Sequence, residues 1–353
     1  MRAIIALALA SFLTAPAIAQ DGYDPGEPRW SFAIHGGAGT ILRENMTPEQ
    51  EAEYRAALDA ALKAGEDILS NGGSAIDAVT AAITLMEDDP KFNAGRGAVF
   101  TWDGTIEHDA ALMDGRDRAA GAVTGTSTVR HPILLAQEVM RDGRHVFLSG
   151  AGAETFADGT ELERVENEWF ATESRRGALE RMKARELSSL DVDLKFGTVG
   201  AVALDMEGNL AAGTSTGGMT GKRWGRIGDA PVIGAGTYAD NRSCAVSATG
   251  HGEYFIRVGV AQEICTQLRQ SALFIDGLAT LGITPPRAKG SPVIAQDTAD
   301  EVMAEVKDLG GDGGVILVTP EGHAIFSFNT PGMYRGRVTS EGVREIAIYG
   351  EGE

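Results

Sequence analysis

Cysteine is almost missing from this chain: 353 residues contain only Cys244 and Cys265. Two thiols cannot make a disulfide framework or a structural zinc site on their own, and neither has partners at metal-ligand spacing. Cys244 falls in a strand-like run and Cys265 on the apolar face of an expected helix, so two buried thiols and one disulfide fit equally well. Positive charge is also scarce. The 31 Lys and Arg residues face 50 Asp and Glu, a net charge of −19. That surface repels phosphate backbones and anionic membranes, which argues against nucleic acid as a partner but says little about a small substrate. After residue 19 no apolar run approaches the roughly 20 residues of a membrane-spanning helix, so the mature form is expected to have no membrane partner. Repeats and low-complexity tracts are missing too. Asp88, Asp89 and Asp312 lack EF-hand spacing, and Gly95-Arg96-Gly97 lacks the Lys-Ser/Thr of a phosphate loop.

What is present begins with MRAIIALALASFLTAPAIAQ. Arg2, an uncharged apolar stretch from Ala3 to Leu13 and small residues at Ala17-Ile18-Ala19 form a secretory signal. Residues 1–19 are therefore excluded from the fold, and the protein is expected to be secreted or periplasmic.

The rest alternates helical and strand-like patterns. A strand at Trp30–Ile34 runs into His35-Gly36-Gly37-Ala38-Gly39. Thr47-Pro48-Glu49-Gln50 predicts a helix start with a capping box, continuing to about Ser70. Ser74 and Asp77 open a second helix, with Ala78, Val79, Ala82, Ile83 and Met86 on one face. Short β-like runs follow at Ala98–Trp102, Thr105–His108 and Ala122–Val129, then a helix near Leu134–Met140 and a strand at His145–Leu148. Residues 155–195 are polar, with a helix over Thr172–Leu187 and an exposed tether over about 188–197. Strands are expected at Thr198–Leu204, Leu210–Ser215, Val232–Tyr238 and Cys244–Ala248. An apolar helix spans Glu253–Leu268, and a last hairpin joins Gly314–Val318 to His323–Phe328. Two sheets packed face to face between helical layers bury all of these faces. His35 and His108 read as structural.

The chemically suggestive segment starts at Gly197-Thr198. If the bond before Thr198 breaks, the new α-amine lies beside the Thr198 hydroxyl. An α-amine titrates near about 7.7–8.0 and can act as a local base for that otherwise poor nucleophile. Gly197 leaves the bond uncrowded. Thr214, Ser215 and Thr216 end a strand at two glycines. Arg226 and Asp229 stand three residues apart in a tight turn, where a guanidinium and a carboxylate can recognise the two charged groups of an amino acid; a surface Arg–Asp pair is the plainer reading. Thr249 and Gly250 precede a helix start at Gly252-Glu253, a geometry suited to a developing oxyanion.

Together these segments resemble the plant-type asparaginase and isoaspartyl peptidase family of N-terminal nucleophile hydrolases. The resemblance runs through HGGAG (35–39), FNAGRGAVF (92–100), HDAALMDG (108–115), GTVGAVALD (197–205), GTSTGGMTGK (213–222), GRIGDAP (225–231), SATGHGE (247–253) and FNTPGMYR (328–335). It implies an α+β fold, an αββα four-layer sandwich, and self-cleavage into an α subunit ending at Gly197 and a β subunit starting at Thr198, with two such heterodimers assembling as a pair. It further implies that Thr198 is the nucleophile, that Thr216 bonds near it, and that Asn93 lies close by. Thr249 and Gly250 match an oxyanion hole, Arg226 and Asp229 a substrate clamp, and Gly252 a backbone contact to the substrate amine. The carbonyls of Met86, Glu87, Asp89, Phe92, Ala94 and Arg96 match a loop that binds structural sodium; no cofactor is implied for the chemistry. Arg96 and His251 occupy positions that vary in the family, and the tether is rather short.

The implied substrates are asparagine and β-aspartyl dipeptides, which present the same aspartyl head. A glycosylasparaginase-like amidase is the near alternative, but that branch has Asp where Gly197 stands. An exported amino-acid-binding protein that never matures is the alternative of another class; the retained Thr198, Thr216 and Thr249 argue against it.

Overall fold

A computed structural model of the chain describes residues 29–186 and 197–350. The expected leader, and all of the expected tether but Gly197, lie outside the described residues. The elements run β1 (Ser31–Gly39), α1 (Pro48–Ser70), α2 (Ala75–Asp88), β2 (His108–Asp114), β3 (Ala120–Thr126), α3 (Pro132–Asp142), β4 (Phe147–Ser149), α4 (Gly150–Ala157) and α5 (Glu173–Glu186). They continue with β5 (Val199–Leu204), β6 (Leu210–Thr216), β7 (Thr237–Asp240), β8 (Cys244–Gly250), α6 (Gly252–Val258), α7 (Val260–Thr280), α8 (Pro292–Asp308), β9 (Gly313–Val318), β10 (Ala324–Phe328), β11 (Gly332–Thr339) and β12 (Arg344–Tyr349).

The strands form two sheets, ordered β12-β11-β1-β5-β6-β2-β3-β4 and β10-β9-β8-β7. Helices α1, α2 and α3 cover the outer face of the larger sheet, α7 and α8 cover the smaller one, and the two sheets pack against each other through β1, β5 and β6 on β8 and β9. This is the expected αββα sandwich.

Local chemistry explains why the helices start and stop where they do. Thr47 Oγ accepts from Gln50 N at 3.2 Å while Gln50 Oε1 accepts from Thr47 N at 3.0 Å, a reciprocal cap worth about 1 kcal/mol. Along α2, Ala78, Val79, Ala82, Ile83 and Met86 are buried in the cluster under the larger sheet. The apolar run at Glu253–Leu268 is not one helix, because Gly259 sits at φ 70° and separates α6 from α7. A left-handed residue cannot continue a right-handed helix. Residues 232–236 form a turn with one isolated bridge, Ile233 to Thr237, rather than a strand, with Gly234 at φ 95°. The runs at 98–102 and 105–107 contribute a single bridge, Phe100 to Ile106, while His108 opens β2. Strand β2 beyond His108, helices α4 and α8, and strands β11 and β12 are not among the expected elements.

Strand alternation sets the site. In β5, Val199, Ala201 and Ala203 face the helices, whereas Val202 and Leu204 face the second sheet. Side chains alternate with a period of two, so Thr198 shares the inter-sheet side. Val199 pairs with Ser215 in an antiparallel register, which brings Thr198 opposite Thr216.

Cys244 of β8 and Cys265 of α7 form a disulfide across 21 residues, which decides between the two readings left open above. A loop of that length stabilises by about 3 kcal/mol in the chain-entropy account. Reduction is expected to lower the denaturant midpoint accordingly, read by urea unfolding with and without reductant; an unchanged midpoint would show that the bond contributes nothing.

Candidate active site

The start of β5, the end of β6 and the end of β8 meet at one edge of the sandwich. A small cleft there is lined by Gly197, Thr198, Thr216, Gly218, Arg226, Gly228, Asp229 and Gly250. Six of the eight residues expected to act on or hold a substrate are among those lining residues or directly bonded to them: Thr198, Thr216, Asn93, Arg226, Asp229 and Gly250.

The peptide joining Gly197 to Thr198 is held on every side. Asn93 Nδ2 donates to the Gly197 carbonyl at 2.7 Å, and Thr216 Oγ donates to the same oxygen at 3.0 Å. Thr198 Oγ donates to Thr216 Oγ at 3.1 Å, and the Gly218 N–H donates to that oxygen too, at 3.0 Å. Thr216 therefore accepts from the Thr198 hydroxyl while polarising the carbonyl next to it. Asn93 is anchored in turn: its Oδ1 accepts from Val99 N at 2.9 Å, and its Nδ2 also reaches the Gly218 carbonyl at 2.7 Å. Close approach explains two glycines here. A Cβ on Gly197 would lie 2.9 Å from Asn93 Cβ, and one on Gly37, at φ 114°, would lie 3.2 Å from Gly197 Cα.

His35, read from sequence as structural, touches this centre. It is fully buried, and burial pushes its pKa down to about 3 despite the Thr198 contact. The neutral ring must donate from Nδ1 to the Thr198 carbonyl, 3.0 Å away, because a carbonyl only accepts. Nε2 then accepts from Ser247 Oγ at 2.9 Å. Ser247 continues to Thr214 at 2.7 Å, and Thr214 to Thr237 at 2.6 Å. This chain of neutral donors between the sheets fixes the Thr198 backbone from behind. Strand parity could have placed Thr214, Ser247 and also His35, which shares the face of Ala33 in β1, between the sheets; the contact of His35 with Thr198 could not be read from sequence. His108 is core support as expected, buried between the Thr126 and Gly95 carbonyls.

The expected clamp has a different internal partner from the one the turn suggested. Arg226 does not pair with Asp229. Its Nε and Nη2 donate to the two carboxylate oxygens of Glu253, each at 2.9 Å. The reason is reach: Glu253 lies in the first turn of α6 and meets the guanidinium edge-on, while Asp229 is turned beneath Gly252, whose missing Cβ would lie 2.8 Å from Asp229 Oδ1. Asp229 is 4% exposed, and its Oδ2 has no hydrogen-bond partner among the described residues. Burial outweighs its own backbone N–H and the nearby Arg226, and raises its pKa to about 7. A buried carboxyl with one unbonded oxygen has the chemistry to take up an ammonium. The Thr249 hydroxyl is likewise buried, without a hydrogen-bond partner among the described residues, on the strand face that carries Ser247. Gly250 follows at φ 149°, where a Cβ would strike the Asp312 carbonyl at 2.4 Å.

The loop after α2 supplies Asn93. Met86 and Glu87 lie in the last turn of α2, where carbonyls lack helical partners. The Glu87 carbonyl accepts from Arg96 N and that of Asp89 from Phe92 N. Gly97, at φ 102°, lets the backbone close tightly: a Cβ there would meet the Pro90 and Phe92 carbonyl oxygens at 2.5 and 2.8 Å. Carbonyl oxygens at a helix C-terminus are the donor type a hard cation takes, although those of Glu87 and Asp89 already accept backbone hydrogen bonds.

A family model described as asparaginase matches residues 28–279. The chain belongs to the asparaginase family. It is 46% identical over 312 residues to an isoaspartyl peptidase of Escherichia coli, covering 86% of this chain and 91% of that protein. It is 39% identical over 316 residues to the rat isoaspartyl peptidase/L-asparaginase, covering 88% of each. It is also 37% identical over 347 residues to a probable isoaspartyl peptidase/L-asparaginase of Arabidopsis thaliana, covering 91% of this chain and 99% of that one. The four-layer sandwich of this asparaginase-family chain is the N-terminal nucleophile hydrolase fold.

Proposed function

We propose that this asparaginase-family hydrolase cleaves β-aspartyl dipeptides and the side-chain amide of L-asparagine after cutting itself between Gly197 and Thr198. The observation that carries the reading is the Gly197 carbonyl, gripped by Asn93 and Thr216 beside the Thr198 hydroxyl. Self-cleavage begins when Thr198 Oγ attacks the Gly197 carbonyl carbon. Asn93 and Thr216 stabilise the oxyanion, the Oγ proton passes to the Thr198 nitrogen as its bond to the Gly197 carbon breaks, and an ester joins Gly197 to Thr198 Oγ beside the new amine. Water then hydrolyses the ester and releases the Gly197 carboxylate.

In turnover, the free Thr198 amine takes the proton from Oγ, which attacks the side-chain carbonyl of the substrate. The Thr249 hydroxyl and the Gly250 N–H receive the developing oxyanion. Arg226 holds the α-carboxylate, while Asp229 and the Gly252 backbone hold the α-ammonium. Ammonia or an amino acid departs with the proton, and water frees aspartate. Sodium, held by the loop from Met86 to Arg96, would fix the position of Asn93 and take no part in the chemistry. Residues 1–19 direct export, a reading the Cys244–Cys265 disulfide supports. Assembly as a pair of heterodimers rests on the family resemblance. The test is ammonia release from asparagine beside hydrolysis of β-Asp-Leu by the cleaved protein; activity on neither overturns the reading.

The Asp229 carboxyl gives a pH signature separate from the Thr198 amine. Its folded pKa of about 7 lies above the ordinary aspartate value of 3.8, so in the free protein it is increasingly neutral below pH 7 and loses its attraction for an ammonium. Affinity for L-aspartate is expected to fall as pH drops from 8 to 6, whereas affinity for succinate, which lacks the ammonium, does not fall. Calorimetric titration of both ligands checks this, and parallel pH profiles would refute it.

A further inference from the structure

Resting on the proposed amino-acid clamp, we propose that Glu253 is a positioning residue that holds the rear edge of Arg226 so that the front of the guanidinium faces the substrate carboxylate. A guanidinium has more than one donor edge. Here the Nε–Nη2 edge is closed by both oxygens of Glu253, at 2.9 Å each. Nη1 has no hydrogen-bond partner among the described residues. It lies 3.5 Å from where a Cβ of Gly218 would stand and 2.9 Å from that of Gly228, and both glycines line the cleft. The free donor is thus on the cleft side and the bonded edge is on the α6 side.

The arrangement matters because arginine is long and rotatable. A fork that must be ordered at each binding event loses affinity, whereas one ordered beforehand does not. Glu253 is suited to the task. It is part of the first turn of α6, next to Gly252 and the Thr249-Gly250 segment, so the clamp and the proposed oxyanion donors are set by one short stretch. The Arg226 backbone N–H is tied to the Arg223 carbonyl at 2.9 Å, which secures the other end of the side chain. The Arg226 side chain is 17% exposed and that of Glu253 is 44% exposed, so the acid forms the outer wall and the guanidinium the inner one. The opposite role is also physically possible: a carboxylate on Arg226 that competes with substrate for it. The two roles predict opposite signs on removal of the charge.

The decisive experiment compares Glu253→Gln and Glu253→Ala with the wild type in the cleaved protein. If Glu253 positions Arg226, KM for L-asparagine rises about ten- to a hundredfold while kcat changes far less. Binding of L-aspartate weakens by a similar factor, but binding of β-alanine, which lacks the α-carboxylate, stays within about twofold. Added acetate partly restores L-aspartate binding to Glu253→Ala. A merely structural role would weaken both ligands together, and a competing carboxylate would lower KM; either result overturns the proposal. Calorimetric binding reads the clamp without turnover. A wild type that binds aspartate but hydrolyses nothing would therefore sink the proposed function while leaving this test intact.

Discussion

A Thr198→Ala protein is expected to run as one chain on a denaturing gel and to release no measurable ammonia from asparagine. The substitution removes the one hydroxyl able to attack the Gly197 carbonyl, so the Thr198 amine that would act as base never appears. Nucleophile and base are lost together, and losses of groups that act as one unit reach about a millionfold in kcat. The fold should tolerate the change. Thr198 is 7% exposed and its side chain donates to Thr216 alone among the described residues, so Thr216 keeps its bonds to the Gly197 carbonyl and the Gly218 N–H. Thr198→Ser separates the chemistry from the packing, because it keeps the hydroxyl and should still split, more slowly. Mass spectrometry of the purified proteins gives the answer directly. Two fragments from Thr198→Ala would mean that another group, or another protein, cuts the chain.

Much of the sandwich was legible because its helices and central strands carry their own signals. The capping box at Thr47–Gln50 and the apolar face of α2 are local patterns, and each appears where the periodicity predicts. The failures have local causes too. Gly259 breaks an apolar run that looks continuous, since a composition pattern does not report a left-handed backbone. The turns at 232–236 are β-branched enough to resemble strand, but Gly234 at φ 95° bends them away.

For the site, motif order supplied the groups, but only the folded chain gives their partners. His35 and Thr198 are 163 residues apart and Arg226 and Glu253 are 27 apart, so neither contact has a spacing that sequence could read. The turn at 225–229 suggested Arg226 with Asp229 because proximity along the chain stands in for proximity in space. Burial separates them: Asp229 Oδ2 is left without a hydrogen-bond partner among the described residues, and the half-exposed acid on α6 takes the arginine. Leaving Asp229 and Thr249 unsatisfied costs stability. That cost is tolerable where a ligand supplies the missing ammonium and oxyanion.

Replacing Asn93 with Asp is expected to slow self-cleavage about a hundredfold or more while leaving the finished substrate pocket in place. Asn93 Nδ2 is the shorter of the two donors on the Gly197 oxygen, at 2.7 Å against 3.0 Å for Thr216. Removing one donor from a developing oxyanion typically lowers a rate by about 10²–10³. Asp keeps the oxygen that accepts from Val99 N, so the loop stays anchored. It also turns a second oxygen toward the Gly197 and Gly218 carbonyls, where repulsion replaces two hydrogen bonds. The precursor band should therefore persist over times in which the wild type has fully split. The Asn93 side chain bonds to Gly197, Gly218 and Val99 among the described residues and not to Arg226, Asp229 or Glu253, so material that does mature should bind L-aspartate with near-normal affinity. Time-resolved gel densitometry measures the first effect and calorimetry the second. Cleavage of Asn93→Asp at the wild-type rate would assign the polarisation of the Gly197 carbonyl to Thr216 alone, and the asparagine would then serve only to hold the loop against Gly217 and Gly218.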